Sequence, residues 1–505
     1  MPNLKTQVLF INPSIKKETQ HPLFNSLIFS TLPFGLGYVA GYLRYKNNLK
    51  VKVIDEVATY LSDEALSEEL INLEEPCIIG ISCLTATYSR AIELARKIKQ
   101  INKSAKVIFG GVHATVLPEE SLSSGAVDIV VRNEGEITVS KLCESIRLGK
   151  NIEDIEGISL LKNGKVQHNP NRKERVTLDT LPDFPYDLFE HNIASYTDFG
   201  CIFTSRGCPF DCIFCSNRVI TGKLYRSFNV NYVIKQIRLL IKKYKQKSIY
   251  FIDDNIIVDK KRFFALTNAI QLEGLHKEAF FSIQFRGEDI DDEILGQLRK
   301  TNFRMVSCGI ETAIPRLMDL INKNESIDAI VRGVKLSNSN GFLTSATFIY
   351  GIPTETKLDR SASSRLACSL PLDSVRFNIA IPYPGTKLFE MAKAEGKLHI
   401  AKDWKNFNVQ YYLFGDDIPY VPFSTTRYRL IFDTMWANAR FYLRLKTIKS
   451  IIFKTDITGG GVLSFQNRRK LLKTYISLVM VVIFILNRFI HVSIKAGIER
   501  FKNEN

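Results

Sequence analysis

Residues 208–215 read Cys-Pro-Phe-Asp-Cys-Ile-Phe-Cys, a C-x3-C-x2-C stretch on which the interpretation of the whole chain depends. Three thiolates on one short loop can bind three irons of a four-iron cluster and leave the fourth iron open for chemistry. The alternative is structural zinc, which takes four closed ligands. The next Cys or His after Cys215 is His276, far along the chain. The loop therefore favours a cluster bound by Cys208, Cys212 and Cys215.

The cysteine loop follows the first of six strand-like runs, each of which precedes a candidate helix. These runs are Cys201–Ser205, Ser248–Ile252, Phe280–Phe285, Met305–Ile310, Leu343–Tyr350 and Ser374–Ile381. Six strand–helix units are too many for a small sheet and too few for an eight-unit barrel. The pattern predicts a partial, six-stranded (β/α)6 barrel.

The amino-terminal part shows the same alternation, with helical spacing of apolar residues in Leu61–Leu73 and Ala91–Ile101. The strand-like runs are Gln7–Ile11, Val51–Ile54, Cys77–Ser82, Lys106–Phe109 and Val127–Val131. Alternation of this kind predicts an α/β, doubly wound parallel sheet of the Rossmann-like type, with ligands beyond the carboxyl ends of its strands. The turn Gly110-Gly111 lies at one such end.

Four parts are expected along the chain. The first sheet occupies residues 1–150, a linker rich in turn formers and prolines occupies 151–195, and the barrel occupies 196–395. The last part, residues 396–505, is helical and basic. From Arg427 onward there are fifteen Lys and Arg against four acidic residues, so this stretch holds 15 − 4 = +11 of the net charge of +16.

Composition excludes several classes of protein. Apolar residues make up 45% and charged residues 24% of the 505, values typical of folded globular chains and not of disordered or collagen-like ones. Nine scattered cysteines do not form a disulfide framework. The apolar run Val8–Ile11 is too short for a signal peptide. We expect a cytoplasmic protein.

The basic tail allows two interpretations. The apolar run Tyr475–Leu486 is shorter than the roughly 18 to 20 residues that a spanning helix needs. With its basic neighbours it is typical of a helix at a membrane interface, which would place residues 427–505 on the cytoplasmic face of a membrane. The other interpretation is a buried helix that covers the barrel. Nucleic acid is not expected as a partner, because the basic residues alternate with apolar ones and no nucleic-acid module is present.

The cysteine loop and the barrel pattern together resemble the radical S-adenosylmethionine (SAM) superfamily. Further resemblance lies in Tyr250–Asn255 with Asp253, in Phe285-Arg286, in Gly309–Glu311 and in Phe348–Glu355. The resemblance implies that a [4Fe-4S] cluster binds SAM at its open iron. It also implies that Arg286 and Glu311 hold polar groups of SAM, that Gly351 lies beside its adenine, and that Asp253 belongs to the cofactor site.

The first part resembles the cobalamin-binding domain that precedes the barrel in one radical SAM subfamily. The matching segments are Pro33–Tyr38, Gly80–Ser82, Gly110–Thr115 with Pro118-Glu119, and Asn133–Glu136. The resemblance implies that Ser82, Gly110, Gly111, His113 and Glu134 contact cobalamin.

The match departs from other cobalamin proteins in two places. The D-x-H-x-x-G motif is absent, since Gly111 stands two places before His113. We therefore expect cobalamin without histidine on cobalt, with His113 orienting the loop or the corrin edge. Asn133 stands where a glycine is usual in relatives.

The two cofactors imply a cobalamin-dependent radical SAM enzyme. Its expected reaction is methyl transfer, through a 5′-deoxyadenosyl radical, to an unactivated carbon or phosphorus centre of a small-molecule or lipid substrate. An electron donor such as ferredoxin or flavodoxin is implied. One alternative is radical-mediated oxidative cyclisation or carbon coupling. Another is a non-catalytic cobalamin sensor, which predicts a degraded cysteine loop, whereas all three cysteines are present.

Overall fold

The computed structural model describes residues 6–15, 31–196, 198–447 and 484–501. In these residues the first sheet has seven strands: β1 (Thr6–Asn12), β2 (Val51–Asp55), β3 (Leu73–Ser82), β4 (Lys106–Gly110), β5 (Ile129–Val131), β6 (Ile158–Lys162) and β7 (Lys165–His168). Their order is β2-β1-β3-β4-β5-β6-β7, and β1 to β5 run parallel. The predicted parallel sheet is confirmed, with all five predicted strands in it.

Helices cover both faces of the parallel strands, which explains why these strands are apolar on both sides. In the helix that precedes β4, residues Ala91, Leu94, Ala95 and Ile98 are buried. The helices are Phe34–Lys46, Asp63–Ile71, Tyr88–Ile101, Val112–Val116, Pro118–Ser123 and Glu136–Arg147.

Strands β6 and β7 add an antiparallel hairpin to this sheet. They lie in the segment predicted to be a linker, so the absence of regular structure expected there was wrong for Ile158–His168. The turn between them is Asn163-Gly164, with both residues at positive φ (51° and 74°). This combination is typical of a two-residue hairpin turn. The first sheet thus extends past residue 150.

The second sheet, over the described residues, has six parallel strands: β8 (Cys201–Ile202), β11 (Ser248–Phe251), β12 (Phe280–Gln284), β13 (Phe303–Glu311), β14 (Leu343–Tyr350) and β15 (Ser374–Ile379). Their order is β15-β14-β13-β12-β11-β8. A short antiparallel pair, β9 (Ser205–Arg206) and β10 (Arg226–Ser227), flanks the cysteine loop. The predicted six-stranded partial barrel is confirmed.

Helices form the outer layer of the barrel. In the helix that follows β10, Val233, Ile237, Leu240 and Ile241 are buried at helical spacing. The helices are Asn217–Thr221, Val230–Lys242, Lys260–Leu272, Asp292–Lys300, Pro315–Leu320, Ile327–Ser339, Lys357–Ser369 and Lys387–Ala394.

The helix Arg427–Tyr442 closes the edge of the barrel at β15. The side chain of Asn438 donates to Phe377 O (3.1 Å) and accepts from Phe377 N (3.2 Å). Tyr442 makes the same pair of contacts with the backbone of Val375 (2.8 and 3.3 Å). Two side chains thus satisfy the unpaired backbone groups of an edge strand. This part of the basic tail belongs to the barrel wall.

A second C-terminal helix covers residues 484–501 in the described part. Arg488 pairs with Asp416 (2.6 Å), and Val492 is fully buried. Most of the run Tyr475–Leu486 lies outside the described residues. Within them, the structure contains no helix with the length and apolar character needed to cross a bilayer.

Candidate functional site

A cavity of about 690 Å³ lies where the carboxyl edge of the first sheet meets the mouth of the barrel. The first sheet contributes Ser82, Gly110 and Gly111 to its lining, and the barrel contributes Asn217 and Asp254. Much of the remaining lining is apolar. The helix Phe34–Lys46 and the loops around it supply Leu32, Phe34, Leu36, Tyr38 and Val39. The cavity therefore joins the two domains at the edges where α/β folds bind ligands.

The turn Gly110-Gly111 at the end of β4 forms part of the cavity wall. Gly111 has φ of +104°, and a Cβ there would lie 2.7 Å from the carbonyl oxygen of Cys83. A larger residue would therefore clash with the neighbouring loop. Asn133 is also at positive φ (64°), which explains why glycine or asparagine suits this position.

Four charged side chains connect the domains at the cavity wall. Glu134 of the first domain pairs with Arg226 (2.5 Å) and Arg206 (3.4 Å), and Glu136 pairs with Arg206 (2.7 Å). Burial alone would raise the pKa of Glu134, but the hydrogen bond to Arg226 and the charges of both arginines hold that pKa below its ordinary value. Glu134 is thus an anion that fastens the barrel to the first sheet.

The cysteine loop is shaped by backbone contacts with the segment 222–224. Gly207 has φ of +89° and lies against the carbonyl of Leu224, and Cys208 N donates to Gly222 O (3.4 Å). The backbone N–H of Phe210 lies against the thiol of Cys208, and that of Asn217 against the thiol of Cys215; each lowers the thiol pKa. Burial has the larger effect and raises the pKa of all three thiols, to about 11 for Cys212.

The donor set distinguishes between a single ion and a cluster. Across the described ranges, no three His, Cys, Asp or Glu side chains are placed to hold one metal ion. A four-iron cluster makes a different demand, because its three thiolates bind three separate irons. Amide groups that face the sulfurs of Cys208 and Cys215 suit such a cluster, since they stabilise thiolate charge.

The segment of residues 321–325, which follows the helix Pro315–Leu320, supports the cysteine loop. Ile213 N donates to Ile321 O (3.0 Å), and the side chain of Asn322 donates to Asp211 O (3.0 Å). The guanidinium of Arg286 stacks on the ring of Phe210 at 3.6 Å. The loop is therefore held by Arg286, which follows β12, and by Ile321 and Asn322, which follow the helix Pro315–Leu320.

Lys323 and Glu325 of this segment form a buried group of charges with Glu311 at the end of β13. Lys323 contacts Glu311 (3.3 Å) and Glu325 (3.0 Å), and all three side chains are at most 10% exposed. Burial disfavours the charge on Lys323, but the two carboxylates outweigh it and raise the lysine pKa. Arg286 donates to Lys323 O (2.7 Å). The predicted residues Arg286 and Glu311 thus both contact Lys323 beside the cysteine loop.

Sequence comparisons match both halves of this arrangement. The family model of the Radical SAM superfamily matches residues 202–367, and that of the B12 binding domain matches residues 21–142. An uncharacterized methyltransferase of Pyrococcus horikoshii is 33% identical over 378 residues, which is 74% of this chain and 81% of the relative. The chain belongs to the cobalamin-binding radical SAM family.

Other relatives of the family have named activities. The anaerobic magnesium-protoporphyrin IX monomethyl ester cyclase of Rubrivivax gelatinosus is 26% identical over 76% of this chain and 69% of its own length. The hopanoid C-3 methylase of Methylococcus capsulatus is 24% identical over 84% and 81%. The solved structure of the cobalamin-dependent radical enzyme OxsB, with aqua-cobalamin and SAM bound, has the same fold. Its TM-score is 0.69 at 17% identity, with 96% of this chain and 72% of OxsB covered.

Membership identifies the chain as a radical SAM enzyme whose cofactors are a [4Fe-4S] cluster, SAM and cobalamin. The residues present fit them. The cysteine loop fits the cluster, and the cavity fits a large flat ligand against the edge that carries Ser82, Gly110 and Gly111. Within the described chain, Glu136 Oε2 is buried without a hydrogen-bond partner, so it can accept a bond from a bound ligand.

The structure places the predicted residues His113 and Asp253 away from the cavity lining. His113 does not line the cavity: its ring packs against those of Tyr88 (4.2 Å) and Trp404 (5.2 Å), and burial lowers its pKa to about 3. This position agrees with the expected role of orienting the loop, and the contact with cobalamin stays a prediction.

The second of these residues, Asp253, lies at the end of β11, and its place in the cofactor site stays a prediction. Asp253 is turned into the barrel, where it accepts bonds from Thr204 N (3.0 Å) and from the hydroxyls of Thr204 and Ser205. Its neighbour Asp254 faces the cavity and accepts from Asn217 (2.7 Å). Side chains alternate in direction along the strand end, which explains why only one of the two adjacent acids reaches the cavity.

Gly351 lies at the end of β14 and outside the cavity lining. Its N–H donates to Glu355 (2.6 Å), whose pKa burial raises to about 8. Its place beside adenine stays a prediction. Sequence reasoning missed Arg206, Arg226, Lys323 and Glu325. Arg206 stands two places before Cys208, and that proximity was the one available signal.

Proposed function

We propose that the chain transfers a methyl group to an unactivated carbon or phosphorus centre of a small-molecule or lipid substrate. The cavity carries this proposal, because one space contacts both the glycine edge of the cobalamin-type sheet and Asn217 and Asp254 next to the cysteine loop. When bound, the cofactors supply a carbon radical and a methyl group. Methyl transfer to a substrate requires both cofactors to face that substrate.

The chain's own residues position the reactants and exclude water. The apolar wall formed by Leu32, Phe34 and Leu36 shields the cavity, which protects a reactive radical from side reactions. Tyr38 also lines the cavity; burial raises its pKa to about 12, so its hydroxyl keeps its proton. Arg206 stacks on its ring at 4.9 Å and links that wall to the domain contact.

Labelled SAM tests the proposal. The reconstituted protein is incubated under reducing, anaerobic conditions with methyl-labelled SAM and with either a lipid extract or an extract of water-soluble metabolites. We expect a product that has gained one labelled methyl group, and we expect none with Cys212→Ala. Consumption of SAM with no labelled product in either extract would contradict methyl transfer.

Oxidative cyclisation is the second candidate, favoured by the similarity to the magnesium-protoporphyrin cyclase. The same experiment separates the two reactions. Cyclisation predicts a product that has lost hydrogen and carries no label, together with 5′-deoxyadenosine from SAM.

A contact with the surface of an anionic membrane is proposed for the C-terminal helix. On helix 484–501 the residues Leu486, Ile490, Ile494 and Ile498 recur every four positions and are 46–59% exposed. The opposite face is anchored by Arg488 and Val492. An exposed aliphatic stripe within a strongly basic tail is typical of interfacial binding, to which each Lys or Arg adds about 1 kcal/mol.

Flotation with phosphatidylglycerol liposomes tests this contact. A truncation at Thr426 is unsuitable because it removes the helix that closes β15. The double variant Ile490→Glu/Ile494→Glu keeps the barrel intact, and Leu272→Glu, at an apolar residue exposed elsewhere, is the matched control. We expect the native protein and the control to float and the double variant to stay in the dense fraction. Flotation of all three would contradict the contact.

A further inference from the structure

The outer side of the cysteine loop is covered by a short exposed segment. Gly222 O accepts from Cys208 N, and the carbonyl of Leu224 lies against Gly207. The side chains of the same segment are exposed, since Lys223 is 53% and Leu224 is 61% exposed. One stretch of backbone therefore bridges the cluster loop and the protein surface.

Basic side chains contact residues of the cysteine loop and of the segment that precedes Leu224. Arg175 is exposed and donates to Thr221 O (2.6 Å). Lys223 and Arg218 both contact Asp211, with the lysine at 2.9 Å. Two of these three cations thus share one carboxylate, so the named charges leave a net positive patch, and the exposed aliphatic side chain of Leu224 directly follows Lys223. We call Arg175, Arg218, Lys223 and Leu224 the donor face.

We propose that the donor face is the docking surface for an acidic one-electron carrier protein of the flavodoxin or ferredoxin class. The inference rests on the proposed function, because a radical SAM cluster must be reduced. Electron-transfer complexes are small and transient, and a charged rim speeds their encounter. An acidic carrier complements the donor face, which backbone contacts join to Cys208. In the step, the carrier loses one electron and the cluster gains one, with no atom or proton transferred.

Two variants alter the donor face while the cysteines stay in place. Lys223→Glu reverses one rim charge, and Leu224→Asp places a charge at the apolar position. Lys300→Glu is the matched control, because Lys300 is exposed at the end of helix Asp292–Lys300, before β13, at the opposite end of the barrel. The readout is 5′-deoxyadenosine formation from SAM, driven either by reduced flavodoxin or by dithionite.

With flavodoxin we expect both variants to lose about tenfold in rate, while Lys300→Glu stays within about twofold of the native protein. The native rate should fall as salt is added, and the Lys223→Glu rate should depend less on salt. With dithionite all four proteins should agree within about twofold. Cluster content, from iron and sulfide analysis, should be equal in all of them.

Two results would contradict the proposal that the carrier docks on the donor face. One is equal flavodoxin-driven rates in the native protein and both variants. The other is an equal loss with both reductants, which would assign these residues to support of the cysteine loop. A native protein that makes no 5′-deoxyadenosine even with dithionite would contradict the proposed function itself. The docking proposal, which rests on that function, would then be contradicted as well.

Discussion

Replacing Glu134 by Gln tests how strongly the ion pairs at the cavity hold the two domains together. The Glu134 side chain is 5% exposed, and those of Arg206 and Arg226 are 11% and 14% exposed. Removing one partner of a buried ion pair typically costs about 3 to 5 kcal/mol, since the other charge is left uncompensated. Because Arg206 still pairs with Glu136 in the variant, we expect the lower end of this range, a loss of about 3 kcal/mol in the free energy of unfolding.

Tryptophan fluorescence can follow the unfolding at a single position, because the chain contains only two tryptophans, Trp404 and Trp436. Trp404 is buried, packs on His113 and donates to Glu120 (2.8 Å), so its fluorescence reports the contact between residues 396–413 and the first domain. In a Trp436→Phe background, urea denaturation should show Glu134→Gln unfolding at clearly lower urea. Glu153→Gln is the matched control, because Glu153 forms a half-exposed surface pair with Lys162 (2.7 Å) that contributes at most about 1 kcal/mol. Equal urea midpoints for the two variants would show that the Glu134 ion pairs contribute no more to stability than an exposed surface pair.

Three further predictions concern the first domain. Gly111→Ala should weaken cobalamin binding, measured by absorbance titration, because its Cβ would clash with the Cys83 carbonyl; unchanged affinity would contradict this. The Co(II) form should show no nitrogen superhyperfine splitting in electron paramagnetic resonance, since the described lining contains no histidine. Burial lowers the pKa of His113 to about 3, so below about pH 6.5 the unfolded chain takes up a proton there that the folded chain does not. Relative to His113→Phe, the native unfolding free energy should therefore fall by about 1.6 kcal/mol between pH 6.5 and pH 5, measured by urea denaturation.

The strands and the cysteine loop were predictable because their signals are local. β-branched runs such as Val51–Ile54 form buried strands in most contexts, and three cysteines within eight residues need no tertiary information. The hairpin β6–β7 was missed although its Asn163-Gly164 turn was visible. Its strands pack at the sheet edge and are partly polar, so turn formers alone suggested a linker.

The site charges were less predictable because they depend on tertiary contacts. Which of Asp253 and Asp254 faces the cavity is set by the exact end of β11. The partnership of Glu134 with Arg226 joins residues 92 positions apart. Lys323 and Glu325 lie in a loop that offers no periodic pattern, and only the folded barrel shows that they are buried beside the cysteine loop.

The tail shows a similar limit. Its charge and apolar run allowed either a membrane contact or a cover for the barrel. The structure assigns Arg427–Tyr442 to the barrel edge, because Asn438 and Tyr442 pair with the backbone of β15. The exposed stripe of helix 484–501 is available for the membrane contact proposed above.

Cofactor stoichiometry tests most directly the claim that two cofactor sites meet in one chain. The full-length protein, reconstituted without oxygen, should bind one four-iron cluster and one cobalamin and should cleave SAM when reduced. Cys208→Ala should lose the cluster and SAM cleavage but keep cobalamin, whereas Gly111→Ala should lose cobalamin affinity and keep the cluster. Binding of only one of the two cofactors by the native protein, or unchanged SAM cleavage by Cys208→Ala, would contradict the account.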